Sequence, residues 1–199
     1  MIKNSDYSIK AVVFDMDGTL TVPNIDFVVM RNELQIPMTG DIVEHVLAMD
    51  EERQKEAWGI INRIEAEAIA DYQLQDYALE VLQSLQKNDI KLAILTRNTN
   101  RGIERFLKLV EGIVQFDYVL GREFPTIKPS PKPLWHILEK IDVAAENTLM
   151  VGDYIHDISC GNDAGAMSCF FFNADHQSYE EYADFTVRNF NELKNIVLR

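Results

Sequence analysis

The chain has 199 residues, 47% hydrophobic and 26% charged, a composition for one folded domain or one domain with a smaller insert, and not for a disordered chain. Its formal net charge is −13, from 19 basic and 32 acidic residues, so neither a nucleic acid nor an anionic membrane is expected as a partner. Cys160 and Cys169 form neither a disulfide framework nor a zinc spacing; with a polar MIKNSDYSIK start and no apolar run of membrane-spanning length, they point to a cytoplasmic protein.

The first apolar run, Ala11–Phe14, is short and continuous, as expected of a strand buried on both faces of a parallel sheet. From about Asn24 to Gln75 helical patterns follow without a strand signal. There Ala57, Trp58, Ile61, Ile64 and Ala68 make an apolar stripe on a long helix flanked by Glu51, Glu52, Glu56, Glu65 and Glu67. A crossover between parallel strands needs only one helix, so residues 23–75 are read as a separate helical insert in a core formed by 1–22 and 76–199. Beyond it, Asp76–Asn88 predicts a helix, Leu92–Leu95 a strand, Thr99–Val110 a helix and Tyr118–Leu120 a strand. Pro131–Ile141 opens with prolines suited to a first helical turn, and Thr148–Val151 and Cys169–Phe172 are two more strands. Strand and helix in alternation predict an α/β fold, a Rossmann-like doubly wound parallel sheet with a small α-helical unit inserted after the first strand.

The stretch VVFDMDGTLT places Asp15 and Asp17 one residue apart at the end of the first strand, where their charges repel. In an open parallel sheet ligands bind outside the carboxyl ends of the strands, so the polar residues at those ends form one set. They are Asp15, Asp17, Gly18 and Thr19; then Thr96, Arg97 and Asn98; then Lys128 within GREFPTIKPSP; then Gly152, Asp153 and Asp157. Clustered hard oxygen ligands without histidine or cysteine suit Mg2+ better than zinc or copper. Magnesium commonly takes one or two carboxylates and phosphate oxygens, which leaves an aspartate to attack phosphorus in line, with Lys128 neutralising charge and the Thr96 hydroxyl holding phosphate.

DMDGT, the ILT ending in Thr96, IKPSP and VGDYIHD resemble, in order, the four motifs of the haloacid dehalogenase-like superfamily, over about Lys10 to Phe172. The resemblance implies Asp15 as nucleophile and Asp17 as general acid and then base, with its backbone carbonyl toward the metal. It implies Thr96 as phosphate ligand and Lys128 as the third-motif lysine, with Lys132 facing solvent. Asp153 would coordinate Mg2+ directly, and Asp157 would stand behind it or bridge through water. The insert sits where one large branch of the family carries a helical cap.

Other residues carry simpler readings. His45, His136, His156 and His176 show no metal spacing and are read as surface or packing residues. Cys160 and Cys169 are read as buried thiols, Gly161 and Gly165 as a helix end and its turn. Arg97 is either a phosphate contact or a solvated strand end. From Val22 to Tyr77 there are twelve acidic residues against four basic ones, Arg31, Arg53, Lys55 and Arg63, a balance that disfavours a multiply phosphorylated sugar. The expected activity is a Mg2+-dependent phosphatase acting on a small phosphorylated metabolite. A phosphomutase of the same family and a catalytically inactive phosphate-binding module are the alternatives, and oligomeric state is left open.

Overall fold

The computed structural model describes residues 7–172 and 178–199; His176 lies outside them. The described residues comprise β1 (Ala11–Phe14), α1 (Phe27–Leu34), α2 (Ile42–Leu47), α3 (Glu51–Ala70), α4 (Ala78–Lys87), β2 (Lys91–Leu95), α5 (Asn100–Leu109) and β3 (Tyr118–Leu120). There follow α6 (Lys132–Ile141), β4 (Thr148–Gly152), α7 (Ile155–Ala164), β5 (Met167–Phe171), β6 (Phe185–Val187) and α8 (Phe190–Val197). The chain divides into two compact units: Asn24–Tyr72, and the described residues up to Pro23 together with Gln73–Arg199.

The larger unit is built on a sheet in the order β3-β2-β1-β4-β5-β6. Each neighbouring pair is parallel, with Val13 opposite Ala93 on one side and Met150 on the other. The chain winds outward from β1 to β3 and then returns to β4 on the other side of β1. The carboxyl ends of β1 and β4 therefore flank the topological switch point. All four residues of β1 are buried, which explains its unbroken apolar run. Ala11 and Val13 join Leu134, Ile137, Leu138, Cys160 and Ala164 from α6 and α7 on one face. On the other, Phe14 stacks on Phe190 of α8, with ring centroids 6.2 Å apart. Burying side chains as fully as Leu134 and Ile137 contributes about 1.5–3 kcal/mol each, set against the entropy of ordering them.

Three differences from the sequence expectation have physical causes. β5 begins at Met167, two residues before the expected Cys169, because Ser168 interrupts the apolar pattern yet is buried against Asp184. β6 and α8 are short and not expected from the sequence: β6 is a three-residue edge strand, and α8 is an eight-residue helix that buries Phe190, Leu193 and Val197. Gly165 ends α7 in the left-handed conformation as expected, but Gly161 lies inside the helix against Met150 and ends nothing.

The smaller unit consists of α1, α2 and α3 around Met30, Leu34, Val46, Ala57, Ile61 and Ile64. Each helix opens on an aspartate whose carboxylate accepts from the first-turn N–H groups: Asp26 from Val28 and Val29, Asp41 from Val43 and Glu44, Asp50 from Arg53. Part of the negative charge of this region is thus helix capping. Its arginines also have structural partners. Arg31 donates to the carbonyls of Pro37, Thr39 and Gly40, Arg53 to that of Leu34 and to Glu56, and Arg63 pairs with Glu33 and Glu67. Among the described residues no helix is long and apolar enough to cross a membrane.

Candidate active site

Four loops at the carboxyl ends of β1 to β4 carry the polar residues singled out in the sequence. Asp15 leaves β1 with its N–H still bonded to the carbonyl of Val151 at 2.8 Å, so the first aspartate is fixed by sheet hydrogen bonding. The turn that follows needs Gly18, whose φ is +83°; an added Cβ there would lie 2.2 Å from Asp153 Oδ2. Gly152, the last residue of β4, has a similar function: an added Cβ would lie 2.2 Å from Cγ of Asp157. Both glycines give room for a carboxylate to approach the main chain.

Asp15, Asp153 and Asp157 each present a carboxylate oxygen within 4.8 Å of the others. Lys128, from the loop between β3 and α6, reaches into this group. Its Nζ lies 2.8 Å from Asp15 Oδ1 and 2.5 Å from Asp157 Oδ1. Lys128 and Asp157 are each 2% exposed and Asp153 4%, so these charges interact with little water between them. Asp157 owes its place to α7: it sits in the first turn, and its Oδ2 accepts from the Tyr154 N–H at 3.1 Å.

The electrostatics show a surplus of negative charge. Burial would lower the Lys128 pKa, but Asp15 and Asp157 outweigh it and hold the ammonium above its ordinary range. Burial pushes the Asp157 carboxyl up to about 7; Lys128 opposes that rise, while Asp15 and Asp153 add to it. Two buried carboxylates and a half-buried one, with one balancing ammonium, are a donor set that a hard divalent cation fits.

Asp17 and the residues after β2 form a second cluster. Asp17 Oδ2 accepts from Asn98 Nδ2 at 2.8 Å. Thr96 is buried, its N–H donates to Leu120 O, and its Oγ accepts from the Asn98 N–H at 3.0 Å, which leaves the hydroxyl hydrogen to point elsewhere. Arg97 is half-buried with Nη1 3.1 Å from His156 Nδ1, and the His156 ring stands edge-on to Tyr154 at 4.9 Å. His156 is thus a packing residue. Lys132 is exposed on the first turn of α6. Cys160 and Cys169 are buried, and burial pushes the Cys160 thiol up to about 12 and that of Cys169 above its usual range. Sequence reasoning placed Asn98 at a strand end but gave it no role; the polar run Thr96–Asn98 was the available signal.

Fold and site together define a Rossmann-like α/β protein with an oxygen-rich charged centre at its switch point. The sequence model of the haloacid dehalogenase-like hydrolases matches residues 28–171. A haloacid dehalogenase-like hydrolase domain-containing protein of Arabidopsis thaliana is 33% identical, covering 98% of this chain and 86% of that one. A putative pyrophosphatase of Clostridium perfringens is 29% identical, covering 81% and 83%. The crystal structure of a predicted phosphoglycolate phosphatase from Haemophilus somnus superposes with a TM-score of 0.75 at 19% identity, covering 94% and 97%. The chain belongs to the haloacid dehalogenase-like hydrolases.

Proposed function

We propose that the protein is a Mg2+-dependent phosphatase that hydrolyses a small phosphorylated metabolite through an aspartyl-phosphate on Asp15. The observation that carries this reading is the buried Lys128 ammonium between Asp15 and Asp157 in a centre with more carboxylates than cations. The name of the Clostridium relative, a putative pyrophosphatase, supports phosphoryl transfer as the reaction class. Asp15 and Asp153, with the Asp17 backbone carbonyl and with Asp157 behind them, would hold Mg2+; when bound, it supplies charge neutralisation for the transferring phosphoryl group.

The protein's own residues do the rest. Lys128 balances charge beside Asp15, whose carboxylate oxygen attacks phosphorus in line. The P–O bond to the leaving group breaks, and the departing oxygen takes a proton from Asp17. Asp17, now a carboxylate, takes a proton from water as the water oxygen bonds to phosphorus. The bond to Asp15 breaks and inorganic phosphate is released. The Thr96 hydroxyl donates to a phosphate oxygen throughout, and Arg97 contacts the phosphate from beside it.

The helical insert is assigned the selection of small substrates. Its two connections leave the larger unit side by side just after β1, where Val22 N–H donates to Gln73 O and Gln75 N–H to Leu20 O. With Arg31, Arg53 and Arg63 engaged inside the insert, its surplus of acids favours a small monophosphate. Steady-state hydrolysis of p-nitrophenyl phosphate with Mg2+ and with EDTA tests the function. Turnover that requires Mg2+ is the expected result, and absence of turnover in both overturns it.

A further inference from the structure

Asn98 is held at every one of its polar atoms. Its N–H donates to Thr96 Oγ at 3.0 Å, its carbonyl accepts from Arg122 N–H at 3.1 Å, and its side-chain Oδ1 accepts from the Thr99 N–H at 2.7 Å and from Thr99 Oγ at 3.3 Å. The side chain also lies against Gly102 in the first turn of α5, where an added Cβ would be 2.1 Å from Oδ1. The Thr99 N–H can only donate, so the amide has one orientation: oxygen to Thr99, NH2 to Asp17. Nδ2 meets Asp17 Oδ2 at 2.8 Å.

We propose that Asn98 is a positioning residue that fixes which oxygen of Asp17 delivers the proton to the leaving group. This rests on the phosphatase reading above. An NH2 group offers only hydrogens, and the carbonyl oxygen of a carboxyl group is a better acceptor than its hydroxyl oxygen, so the contact favours the form in which Oδ2 is the carbonyl and Oδ1 carries the proton. The amide holds the carboxyl plane as well, and proton transfer is sensitive to errors of an ångström in such placement. In the first half-reaction the proton leaves Asp17 Oδ1 for the oxygen whose bond to phosphorus is breaking; in the second, Oδ1 regains a proton from the attacking water. Asn98 holds the same place in both.

Asn98→Asp separates this role from a structural one. The new carboxylate keeps the bulk and still accepts from Thr99 N–H and Oγ, so the start of α5 is preserved, but it presents an acceptor to Asp17 in place of a donor. Asn98→Ser is the second variant: its hydroxyl can still accept locally but is too short to reach Asp17. The measurement is kcat/KM, which reports steps through the first phosphoryl transfer, on an alkyl phosphate and on p-nitrophenyl phosphate, alongside the inhibition constant of inorganic phosphate. Since general acid catalysis contributes about 10²–10⁴-fold, both variants are expected to lose about 30-fold or more on the alkyl ester and less than about threefold on the nitrophenyl ester, whose leaving group hardly needs a proton. For Asn98→Ser, which adds no charge, phosphate inhibition should stay within about twofold, because uniform binding is untouched. Equal losses on the two esters, or activity retained within about threefold on both, overturn the proposal. Asp15→Asn is the control. If turnover of the parent does not depend on Asp15, the phosphatase reading itself fails and takes this inference with it; if it does, the Asn98 result bears on the inference alone.

Discussion

Replacing Lys128 with methionine removes the ammonium from the acidic centre while keeping most of its bulk. Asp15 Oδ1 at 2.8 Å and Asp157 Oδ1 at 2.5 Å then lose their shared cation at a position only 2% exposed. Breaking a buried charge pair by removing one partner destabilises by about 3–5 kcal/mol, because the remaining charge is stranded. The loss should depend on pH, and two groups set its sign. Lys128 is a base raised above its ordinary 10.5, so its stabilising contribution is fully present below pH 10.5 and does not change between pH 5 and 9. Asp157 is an acid raised from 3.8 to about 7, by burial first; its contribution is fully present below pH 3.8 and is lost as pH rises through about 7. In Lys128→Met the acid rises further. At pH 5 the variant therefore relieves the repulsion by holding a proton on Asp157, and at pH 8.5 it relieves it less. Urea unfolding in EDTA, followed by far-UV circular dichroism, reads the difference. With a slope of about 2 kcal/mol/M, the midpoint should fall by about 1.5–2.5 M at pH 8.5 and by less than half of that at pH 5. Lys132→Ala, which removes an exposed charge, should stay within about 0.5 kcal/mol of the parent. A Lys128→Met midpoint within about 0.3 M of the parent at both pH values would refute the reasoning, because the carboxylates would then not depend on the lysine.

Gly18→Ala should reduce Mg2+-dependent turnover by about 100-fold, since its Cβ would fall 2.2 Å from Asp153 Oδ2 and displace that carboxylate. The left-handed φ of +83° adds only about 1–2 kcal/mol, so the melting temperature should fall by a few degrees; near-parental activity would show that Asp153 tolerates displacement. Mg2+ should raise the melting temperature more at pH 8 than at pH 5, because protons compete with it for the crowded carboxylates, and equal shifts would argue against metal binding there. Replacing Asn24–Tyr72 with a short Gly-Ser linker should slow hydrolysis of small phosphate esters and admit larger ones such as phosphopeptides. A folded truncated protein with the parent's substrate ranking would remove the insert from specificity.

The parallel core was legible because its strands are buried on both faces and bounded by sharp polar turns. Ala11–Phe14 and Tyr118–Leu120 have the expected limits, and β2 and β4 each differ by one residue. The edge was not legible. β6 has only three residues, two half-buried and one buried, and three residues carry too little alternation to stand out. The helix boundaries shifted where capping intervened: α4 starts after Tyr77, which takes a left-handed φ of 63°, and not at Asp76. The acidic centre was legible through residue type, since aspartates and a lysine at four successive strand ends have few structural uses. Asn98 was not, because its role depends on one bond to Asp17, 81 residues away, and on an amide orientation set by Thr99. Nor could the double pairing of Lys128 be read in advance: Asp157 reaches it only because Gly152 lets the side chain pack against the main chain.

The central claim is that Asp15 is the nucleophile, and the direct test is to capture the phosphorylated enzyme. The protein is mixed with an alkyl or nitrophenyl phosphate and Mg2+, quenched in acid within the first turnover, digested and read by mass spectrometry. The account predicts one phosphoryl group on the peptide that contains Asp15, released on chase in the parent and absent from Asp15→Asn, which should have lost turnover. Steady turnover with Asp15 unmodified, or an Asp15→Asn variant within about tenfold of the parent, only ~1.4 kcal/mol of barrier, would contradict it.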